Sequence, residues 1–132
     1  MKKHVDCPFC NPDYVLVEAE YSRIIVNLKP GQFGHILAVP KRHVSRVSEL
    51  TMEEWLDLAM VEKHAADILE IHCSQQLNLL LNQGPDAGQT LEHLHKNLIP
   101  RHEGDNFVNM QRVLKDRSRI SEDDIARLRL IF

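Results

Sequence analysis

The chain has 132 residues, 43% of them hydrophobic and 27% charged, with a net charge of −3. That length predicts one domain over residues 1–132, with enough apolar content to build a core without disulfides. The charge gives no electrostatic reason to expect nonspecific nucleic-acid binding, and no apolar run approaches the ~20 residues of a membrane helix.

The N-terminus, Met1-Lys2-Lys3-His4-Val5-Asp6, has the charge of a signal peptide but no apolar stretch after it, which predicts a cytoplasmic chain. Local basic patches are expected at Lys41-Arg42 or within Arg112–Arg119. Two of the three cysteines form Cys7-Pro8-Phe9-Cys10. The spacing lets both thiolates reach one tetrahedral zinc ion, and a redox pair or two inert cysteines fit it equally. A redox pair normally opens a helix after a strand; here the turn residues Asn11-Pro12-Asp13 follow.

Tyr14–Glu20 and Ser22–Leu28 read as two strands with a tight connection at Glu20-Tyr21. Asn27 closes the second, where its amide suits the turn Lys29-Pro30-Gly31. Gly34–Pro40 is a third strand, apolar enough for burial on both faces and ended by Pro40. Thr51-Met52-Glu53-Glu54 is a capping box that opens a helix running to about His72. Met52, Trp55, Ala59, Ala66 and Leu69 keep the spacing of its core face, and Glu53, Asp57, Glu62, Lys63 and Glu70 solvate the remainder. Trp55 reads as core, His64 and His72 as surface, and Cys73 as an inert, half-buried thiol.

Gln76–Gln83 is a fourth strand, with Leu77, Leu79 and Leu81 on one face, and His93–Pro100 is a fifth. Their connection is too short for a parallel crossover, so they should be antiparallel. Five strands and one long helix predict an α+β domain. Glu103–Arg119 has no clean period, and Ser121 caps a short final helix, Ile125–Ile131. Its Leu128, Leu130, Ile131 and Phe132 need a partner surface, the core or another subunit.

The chemistry concentrates in residues 82–101. Gly84-x-x-x-Gly88-Gln89-Thr90 is not a P-loop, which needs four residues between its glycines and a lysine after the second. Gly88 still permits close approach to an anion, and Gln89 and Thr90 add side-chain donors. His93, His95 and Asn97 alternate, so on a strand they share one face. Eight histidines in the chain make chance pairs common; the loop beside this pair points to phosphate handling.

This segment resembles the signature of the histidine-triad (HIT) superfamily, His-φ-His-φ-His-φ-φ with φ apolar, preceded by an Asn-x-Gly…Gly-Gln-[Ser/Thr] loop, here Asn82-x-Gly84…Gly88-Gln89-Thr90. The similarity continues upstream through Asn27-x-Lys29-Pro30, Gly34-His35 and Pro40-Lys41-Arg42-His43, spanning residues 7–101 and leaving 103–132 as a C-terminal extension. Two positions depart from it: Asn97 stands where the third histidine belongs, and Lys96 occupies an apolar position. The uridylyltransferase and dinucleoside-polyphosphate phosphorylase branches resemble this pattern, with Gln at the third position.

The resemblance implies a HIT-like fold and a homodimer. It implies a structural zinc site of Cys7, Cys10, His43 and His93. Asn27 would contact the ribose, His35 would sit near the nucleotide, and Asn82, Gly88, Gln89 and Thr90 would line the phosphate loop. His95 would attack the α-phosphorus of a nucleoside phosphoramidate or dinucleoside polyphosphate, forming a nucleotidyl-histidine, with Gln89 and Asn97 steadying the phosphate. The expected protein is a nucleotide hydrolase or nucleotidyltransferase. The alternatives are a nucleotide-binding protein without turnover and a zinc-stabilised interaction module.

Overall fold

The computed structural model describes residues 4–105 and 118–132. Most of the Arg112–Arg119 basic stretch and of the aperiodic 103–119 segment lies outside them. The elements are β1 (Val15–Glu18), β2 (Ser22–Val26), β3 (Ile36–Pro40), α1 (Met52–His72), β4 (Gln76–Leu81), β5 (Lys96–Arg101) and α2 (Glu122–Ile131). The five strands form one sheet in the order β1-β2-β3-β5-β4, with every neighbouring pair antiparallel. This is the expected α+β architecture. No described helix is long and apolar enough to cross a membrane.

Side-chain alternation gives the sheet two unlike faces. Ile24, Val26, Ile36, Ala38 and Leu98 pack against Leu58, Val61, Ala65 and Leu69 of α1. Ile120, Ile125 and Leu128 join the same cluster. The Ile120 N–H donates to the Leu28 carbonyl (2.7 Å), tying the entry to α2 to the turn after β2. On the other face Ile25, Leu37 and Val39 pack with Phe9. Strand β3 is therefore buried on both sides, as its apolar run requires.

The capping box of α1 forms as expected. Thr51 Oγ1 accepts from the Glu54 N–H (3.1 Å), and Glu54 accepts from the Thr51 N–H (2.9 Å). Its buried stripe differs from the expected one. Glu54, Leu58, Val61, Ala65 and Leu69 face inward, Trp55 and Ala66 are half-buried, and Met52 and Ala59 are exposed. The helix is apolar around most of its circumference, so two stripes satisfy the spacing. Glu54 decides between them: Arg42 holds its carboxylate at 2.8 and 3.1 Å and makes its burial tolerable. Glu62, expected in solvent, bonds Lys96 (3.0 Å), and both are 15% exposed. That pairing, with the Trp55 ring 4.8 Å from the ammonium, accommodates a lysine at an apolar position.

Two further expectations are corrected. The Lys41-Arg42 patch is neutralised, Lys41 by Glu18 (3.0 Å) and Arg42 by Glu54. Strand β5 begins at Lys96, not His93. Before it, the Leu94 N–H donates to the Val44 carbonyl (2.7 Å), so 93–95 lean on the segment after β3 instead of continuing its ladder.

Candidate functional site

The site lies on the Phe9 face, where the segment before β5 meets the cysteine turn and the residues after β3. His93 is fully buried. Its Nε2–H donates to the Pro40 carbonyl (2.7 Å), which leaves Nδ1 with a lone pair. That Nδ1 stands 3.4 Å from both the Cys7 and the Cys10 sulfur, and His43 Nδ1 stands 3.2 Å from the Cys10 sulfur. The four ligand atoms lie within 4.8 Å of one another.

A tetrahedral ion with ordinary sulfur and nitrogen bond lengths requires sulfur–nitrogen edges of about 3.5 Å. Three sulfur–nitrogen edges of the Cys₂His₂ set already match such an ion, so the set could hold one, and the Pro40 carbonyl orients one of its histidines in the manner of metal-bound histidines. Burial and the neighbouring Cys7 push the Cys10 thiol up to about 11. A cation between the sulfurs would reverse that balance.

His95 shares the Phe9 ring with His93: centroid separations are 5.0 and 5.9 Å, both edge-on. Its Nδ1–H donates to the His93 carbonyl (2.8 Å), so Nε2 carries the lone pair. Burial lowers the His95 pKa, partly offset by that carbonyl. Burial thus favours the uncharged ring, and the bond to the carbonyl fixes how it is turned.

Asn97 is 7% exposed, on the same sheet face as Leu37, its β3 partner. Its Oδ1 lies 2.8 Å from His35 Nε2, and its Nδ2 lies 3.4 Å from the Leu80 carbonyl. Asn27 closes its own turn, Oδ1 accepting from the Lys29 N–H (3.0 Å), and places Nδ2 3.2 Å from His35. His35, 1% exposed, thus stands between Asn27 and Asn97 beneath the site.

The glycine loop is tied to the segment after His43 through Gln83 and Gln89. Pro85–Ala87 makes one tight turn between Gly84 (φ +88°) and Gly88 (φ +96°), conformations that favour glycine. A Cβ on Gly88 would also press to 3.2 Å from the Asn82 amide, which lies under it. The N–H groups of Gly88 and Gln89 close the turn onto Pro85 and Gly84. The Gln89 amide accepts from the Gly84 N–H (2.8 Å) and donates to the Ser45 carbonyl (3.4 Å). Gln89 therefore braces the loop, and Thr90 is exposed at its end.

The structure brings Cys7, Cys10, His43, His93 and His95 into one cluster, with His35 linking Asn27 to Asn97. Two contributors escaped sequence reasoning. Phe9, which braces both histidines, carried a signal as the one large apolar residue inside the Cys7–Cys10 turn. Gln83 had none: its side-chain Oε1 accepts from the Val47 N–H (2.8 Å) and latches the loop to the segment that carries His43.

Comparison with known proteins agrees with this arrangement. A HIT domain family model matches residues 9–104. The nitrilase and fragile histidine triad fusion protein NitFhit of Caenorhabditis elegans is 39% identical over 94 residues, 70% of this chain and 21% of that protein. A bis(5'-adenosyl)-triphosphatase of Dictyostelium discoideum is 37% identical over 103 residues, 77% of this chain and 68% of that one. The chain thus spans about a fifth of the first relative's length and about two thirds of the second's. Among solved structures, a Zn-bound histidine triad family protein from Mycobacterium smegmatis aligns with a TM-score of 0.77 at 25% identity, covering 98% of this chain and 94% of that one. With the sheet, the Cys₂His₂ cluster and the oriented His95 in place, the chain belongs to the HIT domain family.

Proposed function

We propose that this chain is a nucleotide hydrolase or nucleotidyltransferase that opens a dinucleoside polyphosphate, or a nucleoside phosphoramidate, at its α-phosphate. The observation that carries the reading is the half-buried His95 ring, tied through Nδ1–H to the His93 carbonyl (2.8 Å) so that Nε2 keeps its lone pair. Its Nε2 attacks the α-phosphorus, a P–N bond forms and the bond to the leaving group breaks. The ring becomes cationic, with its positive charge shared by the Nδ1–H against the carbonyl, which makes the nucleotidyl-imidazole a ready donor. Water or phosphate then takes the nucleotidyl group and restores the neutral ring. Asn97 and Thr90 supply donors to the phosphate oxygens, Gln89 holds their loop, and Asn82, Gly88 and Asn27 shape the nucleotide pocket. The Dictyostelium relative's name, a bis(5'-adenosyl)-triphosphatase, favours the dinucleoside polyphosphate.

Zinc is the resident metal this reading assigns to Cys7, Cys10, His43 and His93, in a closed structural site. The reading includes a cytoplasmic homodimer, supported by a stripe of exposed apolar side chains on α1, Met52, Leu56, Met60 and Ile71. Sedimentation giving a monomer at micromolar concentration would remove the dimer.

A second reading, nucleotide binding without turnover, is favoured by Asn97, whose amide cannot act as a general acid. One experiment separates the readings. Thermal stabilisation by AMP reports binding to the native state, and product analysis with diadenosine triphosphate and adenosine phosphoramidate reports turnover. Products support the enzyme, stabilisation without products supports the binding protein, and neither leaves only a metal-stabilised interaction module.

A further inference from the structure

We propose that His35 is a positioning residue that fixes which end of the Asn97 amide faces the phosphate, a role that rests on the site being one for phosphate. The Gly31 N–H donates to His35 Nδ1 (2.9 Å), so that nitrogen carries the lone pair. A neutral imidazole has one donor and one acceptor, so the proton sits on Nε2. Asn97 Oδ1 lies 2.8 Å and Asn27 Nδ2 3.2 Å from Nε2. Of these two, only the carbonyl oxygen accepts, so the proton points to Asn97.

The consequence falls on the other end of the amide. An asparagine can turn either its oxygen or its nitrogen to a ligand with little change in shape. Turned oxygen-first to a phosphate it repels; turned nitrogen-first it donates. A doubly protonated histidine at this position needs no such choice, because both its nitrogens donate. With Asn97, His35 makes the choice: it occupies Oδ1 and leaves Nδ2 as the group that meets an anion. The present Nδ2 contact, the Leu80 carbonyl at 3.4 Å, is long enough to yield one N–H. His35 is itself 1% exposed and does its work from beneath.

The test pairs a direct observation with a mutant cycle. In isotope-labelled parent protein, NMR of the imidazole nitrogens should find His35 protonated at Nε2 and not at Nδ1, with a coupling across the hydrogen bond to Asn97. AMP affinity is then measured for H35F, H35Q, N97A and H35F/N97A. Losing the orienting bond in H35F should weaken AMP binding about tenfold, the scale of one ordinary hydrogen bond. H35Q, which can still present an N–H, should stay within about threefold. H35F should cost nothing further once Asn97 is alanine.

A proton on Nδ1, or H35F and N97A effects that simply add, overturns the role. A parent protein that binds AMP but turns over no dinucleotide sinks the enzymatic reading and leaves both measurements intact. If the parent binds no AMP, the proton on His35 decides: Nε2–H coupled to Asn97 sustains the orientation, and any other state removes it.

Discussion

The His95 Nδ1–H donates to the backbone carbonyl of His93 at 2.8 Å, while the ring of His93 turns its own Nδ1 to Cys7 and Cys10. One residue therefore joins two groups, its side chain in the Cys₂His₂ cluster and its carbonyl as the acceptor that orients the His95 ring. Phe9, between the two cysteines, touches both rings and adds a second mechanical link. The Cys₂His₂ cluster and His95 are in contact although they come from distant parts of the chain.

Purified protein should accordingly carry about one equivalent of zinc. Cys10→Ser should lose it and cost on the order of 4 kcal/mol, because the binding free energy of such a site is folding free energy. Metal analysis and thermal denaturation read both effects. Protein purified without chelator and free of metal would count heavily against the site.

Asn97 decides what leaves. An amide holds phosphate but cannot protonate a departing amine. The parent should favour dinucleoside polyphosphates over phosphoramidates with basic leaving groups. Asn97→His should raise the phosphoramidate rate more than the dinucleotide rate. Asn97→Ala should slow both by roughly 10²–10³, the cost of one transition-state donor. Rates on both substrates, with water and phosphate as acceptors, make the comparison. An Asn97→Ala protein equal to the parent throughout would mean that Asn97 does not touch the phosphate.

The Arg42–Glu54 pair should govern part of the acid stability. Arg42, bonded to the buried carboxylate, holds Glu54 down to about 2, against an ordinary value of 4.5. A carboxyl depressed on folding stabilises the native state above its unfolded pKa, and that contribution fades as pH falls through the folded one. The window is therefore pH 4.5 down to about 2. Arg42 is half-exposed, so solvent screening reduces the contribution to roughly 1–2 kcal/mol. Denaturant unfolding at pH 7 and pH 3 should show Glu54→Gln losing about that much at the higher pH and less at the lower. Equal losses at both would show that the pair contributes only through packing.

Where the sequence encodes structure locally, it could be read. The capping box at Thr51 and Glu54, the apolar run of β3 and the turn at Asn27 each depend on residues a few positions apart, and each forms. The buried stripe of α1 was hidden because it depends on Arg42, ten residues before the helix, bonding Glu54. The late start of β5 was hidden for a related reason: alternation assigns His93 and His95 to one side, but the acceptor for Leu94 is Val44. The metal cluster was legible through family resemblance, since spacing ties Cys7 to Cys10 and says nothing of His43 or His93. The contact between His35 and Asn97 joins residues 62 apart. Nothing local in the sequence announces it.

His95 is the proposed nucleophile, and an acid-free denaturing quench of a single turnover tests that role most directly. Protein mixed with diadenosine triphosphate should yield, within its first turnover, one AMP mass on the peptide that carries His95, labile to acid. His95→Ala should yield none and should lose turnover while binding AMP within about tenfold of the parent, since the loop and Asn27 supply most ground-state contacts. An adduct on another residue, or turnover retained without His95, would contradict the central claim.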